Sequence, residues 1–585
     1  ASVYGQLNIL KGLSLRTQYG INNFTTEDIT FQTAIHGDGF GQQGLASNLQ
    51  RRTDRWTWQN TLNYDLNLSE KHSFNILVGN EQQYTTDERW GATRTVLADP
   101  LFETYQGNYT TINPAGNFQG ENYLLSYFGR LNYNFNRRYQ FSFTIRSDEY
   151  SAFAAGRKQG TFWGASLGYA ISEETFWKNT FGNFFNYFRL RGSYGEVGNF
   201  NGIGNFASFS LYNSGLYGPD ATVNFNQVGN TELTWETSKK TDIGVNFGLF
   251  NDRLQGEVTY FTNLVDGLIL DAPQSPSKGI PGNTISTNVG SMENRGIEVG
   301  LTGTIVRKAR VNWTSNFNIT YMENEILELA GGDIQGATGL ETANISRVGQ
   351  SVGSLYVVET RGVNPATGQR IFVNSKGELV QYIHVLPAGQ TSRWTYLDGR
   401  PAAAVTVAAD GKVYGPTLPK WYGAWDNTVR FMNFDVNVQV QYSLGNYVYN
   451  GTQAGLRDQR FWNNHTDLLD RWQKEGDVTN IPRVVLNDNV SNGSSFPISE
   501  NVEKGDFLRI RNIALGYTLP NTLFGKVGIT NLRIYGSVYN AYIFTDYSGT
   551  DPEVSTNGNS NISPGVDRNS VGVGRTYTVG LNLGF

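Results

Sequence analysis

Tyr577-Thr-Val-Gly-Leu-Asn-Leu-Gly-Phe585 closes the chain, and its reading decides the fold. Tyr577, Val579, Leu581, Leu583 and Phe585 take every second position, with small or polar residues between them, so a strand here has one apolar and one polar face. Terminal residues of soluble domains fray in water and seldom form a bare apolar strand. Lipid on one side and a polar lumen on the other accounts for both faces. The stretch therefore points to an all-β, transmembrane antiparallel β-barrel, with Phe585 at one rim as part of the closing strand.

Composition agrees. The 585 residues include 32 Tyr, 34 Phe, 12 Trp and 67 Gly, while charged residues make up only 17%. No apolar run approaches the ~18 residues of a spanning helix, a test that barrels escape because their lumen-facing half is polar. A net charge of −5 gives no basic face for nucleic acid. With no cysteine, disulfides and thiolate metal sites are excluded.

Working back from the end, the same alternation recurs. Trp56, Trp58, Leu62, Tyr64 and Leu66 share a face, a polar turn Ser69-Glu-Lys-His72 follows, and Phe74, Ile76 and Val78 resume the pattern. Tyr123 to Phe135 and Tyr139 to Ile145 form a hairpin around Asn136-Arg-Arg138, with aromatics crowding the turn. Trp56, Trp58, Tyr133, Phe135 and Tyr139 read as a membrane-interface belt. Further hairpins are expected at Thr237–Gly248 with Arg253–Val265, Gly296–Ile305 with Val311–Tyr321, and Trp421–Phe431 with Phe434–Leu444. In all, about 17 strands of the ~9–11 residues that a tilted span requires are expected.

Short turns alternate with long excursions near 22–54, 85–122, 196–237, 265–294, 321–420, 444–505 and 541–572. Outer-membrane barrels have short periplasmic turns and long extracellular loops, so the last strand is expected to run inward and leave the carboxyl end in the periplasm. Bacterial barrels have even strand numbers, and Ala1 to Ile9 reads as the middle of a strand, so further strands are expected upstream.

Five stretches resemble one family, the SusC/RagA-type TonB-linked outer-membrane transporters of Bacteroidota. They are Leu190-Arg-Gly-Ser-Tyr-Gly-Glu-Val-Gly-Asn199, Glu232-Leu-Thr-Trp-Glu-Thr-Ser238 and Asn288-Val-Gly-Ser-Met-Glu-Asn-Arg-Gly-Ile-Glu298, then Asp506-Phe-Leu-Arg-Ile-Arg-Asn-Ile-Ala-Leu-Gly-Tyr-Thr-Leu-Pro520 and Asn540-Ala-Tyr-Ile-Phe-Thr-Asp-Tyr-Ser-Gly-Thr-Asp-Pro-Glu553. The resemblance implies a barrel of about 22 strands plugged by an amino-terminal domain. It also implies a SusD-like surface lipoprotein as lid, energy delivered through TonB, and a glycan or peptide substrate in the outer membrane. Residues 1–585 then correspond to the barrel portion, without signal, plug or first strands. No cofactor and no enzymatic step are expected. An alternative function is a barrel scaffold or conduit in a larger envelope or secretion assembly.

Other patterns carry less. Gly39-Phe-Gly-Gln-Gln-Gly44 matches a dinucleotide fingerprint, but it lies in a Thr/Asn/Gly-rich excursion rather than between a buried strand and a helix. Ser275-Pro-Ser-Lys278 spells S-x-x-K in a turn-like setting, and the four histidines are dispersed. In the long excursions, Trp394, Tyr396, Arg460, Trp462, His465, Arg471 and Trp472 combine flat rings with polar donors suited to stacking on sugars or holding a peptide. The competing reading is that these aromatics pin one long loop to another.

Overall fold

The computed structural model describes residues 1–101, 104–335, 342–460, 463–520, 528–558 and 560–584. Seventeen strands belong to one sheet among them. In chain order these are β1 (Ser2–Leu10), β2 (Leu13–Gln32), β3 (Leu45–Asn67), β4 (His72–Leu97), β5 (Tyr109–Phe135), β6 (Tyr139–Tyr150), β7 (Gln159–Ala170), β8 (Phe185–Asn199), β9 (Glu236–Leu249), β10 (Leu254–Asp266), β11 (Ser291–Lys308), β12 (Val311–Glu328), β13 (Trp421–Phe431), β14 (Phe434–Leu444), β15 (Phe507–Thr518), β16 (Asn531–Thr545) and β17 (Thr576–Gly584). The strand number matches the expectation, as do the bounds of β13 and β14. No described helix is long and apolar enough to cross a membrane.

The chain divides into two compact units: Ala1–Glu173, Arg191–Thr241 and Val265–Gly290 in one, Glu174–Leu190, Asp242–Leu264 and Ser291–Phe585 in the other. In the first, β1 to β7 pair consecutively and antiparallel. Register places Trp56 opposite Tyr84, Leu62 opposite Val78 and Leu66 opposite Phe74, so one face is apolar across strands. From Trp56 to Leu66 the strand rises ~33 Å, which at a tilt of about 40° spans roughly 25 Å, the height of an outer-membrane apolar band. Rings mark both ends. Trp56 stacks on Tyr19 at 6.2 Å and Trp58 Nε1 donates to Thr17 Oγ1 at 3.0 Å. At the short-turn end Tyr133 stacks on Phe74 at 4.6 Å, Phe135 on Tyr139 at 6.2 Å, and Tyr139 on Tyr169 at 4.8 Å.

The opposite face is a ladder of polar side chains. Asn75 donates to Asn63 at 2.9 Å and to Asp65 at 2.7 Å, and Ser142 donates to Asn132 at 2.7 Å. Gln59 donates to Glu81, which faces Arg146 at 3.5 Å, and Arg146 bonds Ser126 and Asp148.

The excursions 22–54 and 85–122 differ from expectation. They are mostly strand: β2 and β3 stay in unbroken register from Leu13–Tyr64 to Gln32–Leu45, and β3, β4 and β5 reach 23, 26 and 27 residues. Past Trp56 neither face lies in the apolar band, so alternation vanishes from the sequence while the ladder bonds continue. The G-x-G-x-x-G stretch lies at the tip, on a 3₁₀ turn Gly37–Gln42, where a Cβ on Gly39 would meet Thr33 O at 2.5 Å.

The second unit repeats the plan. β11 to β17 pair in sequence, with Trp421 against Tyr321 at 4.5 Å at the long-loop end and Phe434 against Tyr517 at 4.6 Å at the other. On its polar face Asn512 donates to Asn437 and Asn437 to Asp426. Arg533 forks onto Asp435 at 2.9 and 2.6 Å across β15, and a Cβ on Gly516 would run into that guanidinium. In β17, Tyr577, Val579, Leu581 and Leu583 are exposed, Val579 by 87%. Phe585 lies outside the described residues.

Val438, mid-strand on the apolar face of β14, tests the assignment. Val438→Arg is expected to cost about 2–4 kcal/mol in urea unfolding of vesicle-embedded protein, the penalty for a cation at the bilayer midplane. Gln439→Arg, its polar-face neighbour, should cost far less; equal costs would refute the two-faced reading.

Candidate functional site

The long excursions of the second unit fold over buried cores of their own. One core gathers Ile345, Tyr356, Val358, Phe372, Val380, Tyr382, Trp394, Val405, Val407 and Ile498; another gathers Ala343, Leu355, Val357, Tyr449 and Val566. Short sheets carry them. Thr360–Val363, Arg370–Val373, Leu379–Tyr382 and Trp394–Tyr396 form one, and Tyr447–Asn450 lies between Val502–Lys504 and Val566–Asp567 in another. Arg370 is fully buried there, with Nε donating to Ser491 O at 3.0 Å and Nη1 at 3.6 Å from Glu500; burial lowers its guanidinium to about 10.

The structure distributes the expected ligand-binding residues unevenly. Trp394 is in the first core, 5.1 Å from the rings of Phe372 and Tyr382. Tyr396 shares its strand, with Arg400 over its ring at 5.2 Å. Trp472 lies against Gly368 and donates through Nε1 to Pro365 O at 2.8 Å, joining the excursions 444–505 and 321–420. Arg460 forks onto Asp458, and Arg471 donates to Leu468 O at 3.2 Å. His465 lines a cleft beside the helix α1 (Gly451–Leu456). Trp462 lies outside the described residues. Ser275-Pro-Ser-Lys278 forms a 3₁₀ turn over Pro276–Lys278.

The five stretches carrying the family resemblance turn out to be clasps, a role their sequence did not disclose. In the first unit Asn199 donates to Glu236 Oε1 at 2.9 Å, and Glu236 Oε2 accepts from Ile269 N. Asn288 binds Thr234 in both directions at 2.8 Å and donates to Gly267 O at 3.1 Å. Trp235 donates to Lys158 O and its ring meets Phe153, Phe162 and Phe200 within 5.5 Å. Gly198 leaves room for the Phe162 ring, where any Cβ would overlap it.

In the second unit Arg509, 3% exposed in its side chain, meets Asp551 at 2.6 Å and Glu553 at 2.8 Å, tying the excursion 541–572 to β15. Asp506 accepts from Gly445 N, and Arg511 donates to Asn540 at 2.9 Å. Burial pushes the Asp551 carboxyl up, but Arg509 and the N–H groups of Glu553 and Val573 outweigh it and hold it below the ordinary range. Burial also raises the Tyr547 hydroxyl, which donates to Asp567 at 2.7 Å.

With this geometry in place, the family can be given. Residues 3–357 match the model of the TonB dependent receptor-like β-barrel. The chain belongs to that family. Like these receptors, it is similar to TonB-dependent receptor P3 of Formosa agariphila, 28% identical over 100% of this chain and 58% of the relative. TonB-dependent receptor SusC of Bacteroides thetaiotaomicron is 27% identical over 88% of this chain and 48% of its own length. The solved RagAB peptide transporter superposes with a TM-score of 0.80 at 23% identity, covering 100% of this chain and 61% of that one, and so shares the barrel fold. This receptor barrel thus spans 58% of the length of the first relative. Its family is one of receptors and transporters of the outer membrane.

Two clasps give tests. Asn288→Ala strips partners from part-buried main-chain groups, costing at most about 1–3 kcal/mol each; faster hydrogen exchange at Thr234 N–H should report it, and unchanged exchange would remove the clasp role. Asp551→Ala leaves Arg509 short of a partner, with an expected loss of about 3–5 kcal/mol in local stability. Because the folded carboxyl is depressed, its contribution is complete above the ordinary value of about 4 and is lost as pH falls through the lowered value. Proteolysis within 541–572 should therefore be constant from about pH 7 to 5 and accelerate below about 4. Asp551→Asn should flatten that profile.

Proposed function

We propose that this chain is the barrel portion of an outer-membrane, TonB-dependent importer of large nutrients, oligosaccharides or peptides, that works with a SusD-like surface lipoprotein. The observation that carries the reading is the asymmetry of the wall. Most of its strands end in short turns on one side, and on the other the excursions 321–420, 444–505 and 541–572 fold over cores of their own, a surface fit to hold a ligand above a polar passage.

Outer-membrane barrels keep short turns periplasmic, so β17, which follows the excursion 541–572, runs inward and its carboxyl end lies in the periplasm. Trp56 and Trp58 then sit at the outer interface, and Tyr133, Phe135 and Tyr139 at the inner one. Tyr577, Val579, Leu581 and Leu583 face lipid. Trp394, Tyr396, Arg460, His465, Arg471 and Trp472 belong to the extracellular cap that receives substrate. A lipoprotein lid closes over the cap, and TonB acts through an amino-terminal part.

Import is tested in whole cells with fluorescent oligosaccharides and peptides. Accumulation should depend on this barrel and collapse when TonB is deleted. Undiminished accumulation without TonB would sink active import. Purification from native membranes should yield a surface lipoprotein in stoichiometric amount.

A further inference from the structure

We infer that the turn joining β11 to β12 is a docking site for an anionic glycerophospholipid, whose phosphodiester is held by Lys308 and Arg310. The site is separate from the cap and rests on the import reading only for its leaflet, the periplasmic one that the short turns face.

Arg307-Lys-Ala-Arg310 puts three cations into four residues, all exposed. None of the three forms an ion pair among the described residues. Arg430, across Asn312 from Arg307, adds a fourth positive charge. The carboxylates of the adjoining turns are engaged: Asp435 takes the Arg533 fork, and Asp252 accepts from Asn186 and shares its turn with Arg253. The turn therefore carries an uncompensated positive field, which draws an anion.

Register puts Lys308 on the lipid side. It lies opposite Val311, which lies opposite Phe431, then Phe434, then Tyr517, one row across β11 to β15. Directly opposed residues share a face, and the neighbouring row, Val306, Trp313, Val429 and Val436, is apolar throughout. Arg310 O accepts from Met432 N at 2.8 Å, which holds Arg310 beside the same row. Phe431 and Phe434 are half-exposed. A lysine at such a rim lays its stem along the apolar wall and keeps its ammonium group at headgroup level. Cations at the rim and rings below it match a phosphate joined to acyl chains. A water-soluble phosphate leaves the rings uncovered, and a zwitterionic lipid brings an ammonium group that the cations repel.

The test is native mass spectrometry of the detergent-solubilised full-length protein, offered phosphatidylglycerol, phosphatidylethanolamine with the same acyl chains, and glycerol 1-phosphate. Phosphatidylglycerol should be retained at least about fivefold more than the ethanolamine lipid, and Lys308→Gln and Arg310→Gln should each lower its retention about fivefold, the contribution of one cation at a lipid surface. Lys71→Gln combined with Arg137→Gln, which removes two charges from short turns of the first unit, should leave it unchanged. The inference is overturned if the two lipids are retained alike, if both turn variants match the parent, if the control pair lowers retention as much, or if glycerol 1-phosphate is retained as strongly as the lipid. Retention is read in detergent, so loss of TonB dependence with the lipid still bound refutes import alone. A membrane-impermeant maleimide should label Ala309→Cys only after the outer membrane is permeabilised; labelling in intact cells would overturn the assigned leaflet.

Discussion

Hydrocarbon offers the backbone no water, so each N–H and C=O in the apolar band must find its partner on a neighbouring strand. That requirement sets the consecutive pairing, β1 to β7 in one unit and β11 to β17 in the other. Once the ladder is obligatory, side chains divide by parity. Valine, leucine and rings fall on one face, and amides, carboxylates and guanidinium groups on the other. Small residues then become structural tools. Gly516 makes room for the Arg533 fork onto Asp435, which could not otherwise reach across a strand.

Parity is also why the band was legible. Trp421–Phe431 and Phe434–Leu444 were bounded from sequence because alternation runs to an aromatic at each end and Met432-Asn433 turns between them, with Met432 at φ 52. Beyond the band that signal fails. The upper halves of β2 to β5 have two polar faces, so a continuing strand reads as a loop rich in Thr, Asn and Arg.

The cap was less legible still. Its cores are built from strands of three to five residues, and the buried Arg370 beside them takes both its partners, Ser491 O and the Glu500 carboxylate, from a distant segment. The recurrent stretches were visible as a signature, but their purpose was not. Asn199 meets Glu236 across 37 positions, Arg509 meets Asp551 across 42, and Asn288 meets Thr234 across 54. No local pattern contains such pairs. Of the residues singled out in the excursions, Trp394 and Trp472 have visible packing partners, whereas His465 faces open space.

The uninterrupted register of β2 with β3, from Leu13–Tyr64 to Gln32–Leu45, has a mechanical consequence. A ribbon without a bulge has no hinge, so its tip cannot swing independently of its root. A push on the turn around Gly37–Gln42 would be carried down the ribbon into the wall rather than absorbed at the surface, as a strut carries load and a tether does not.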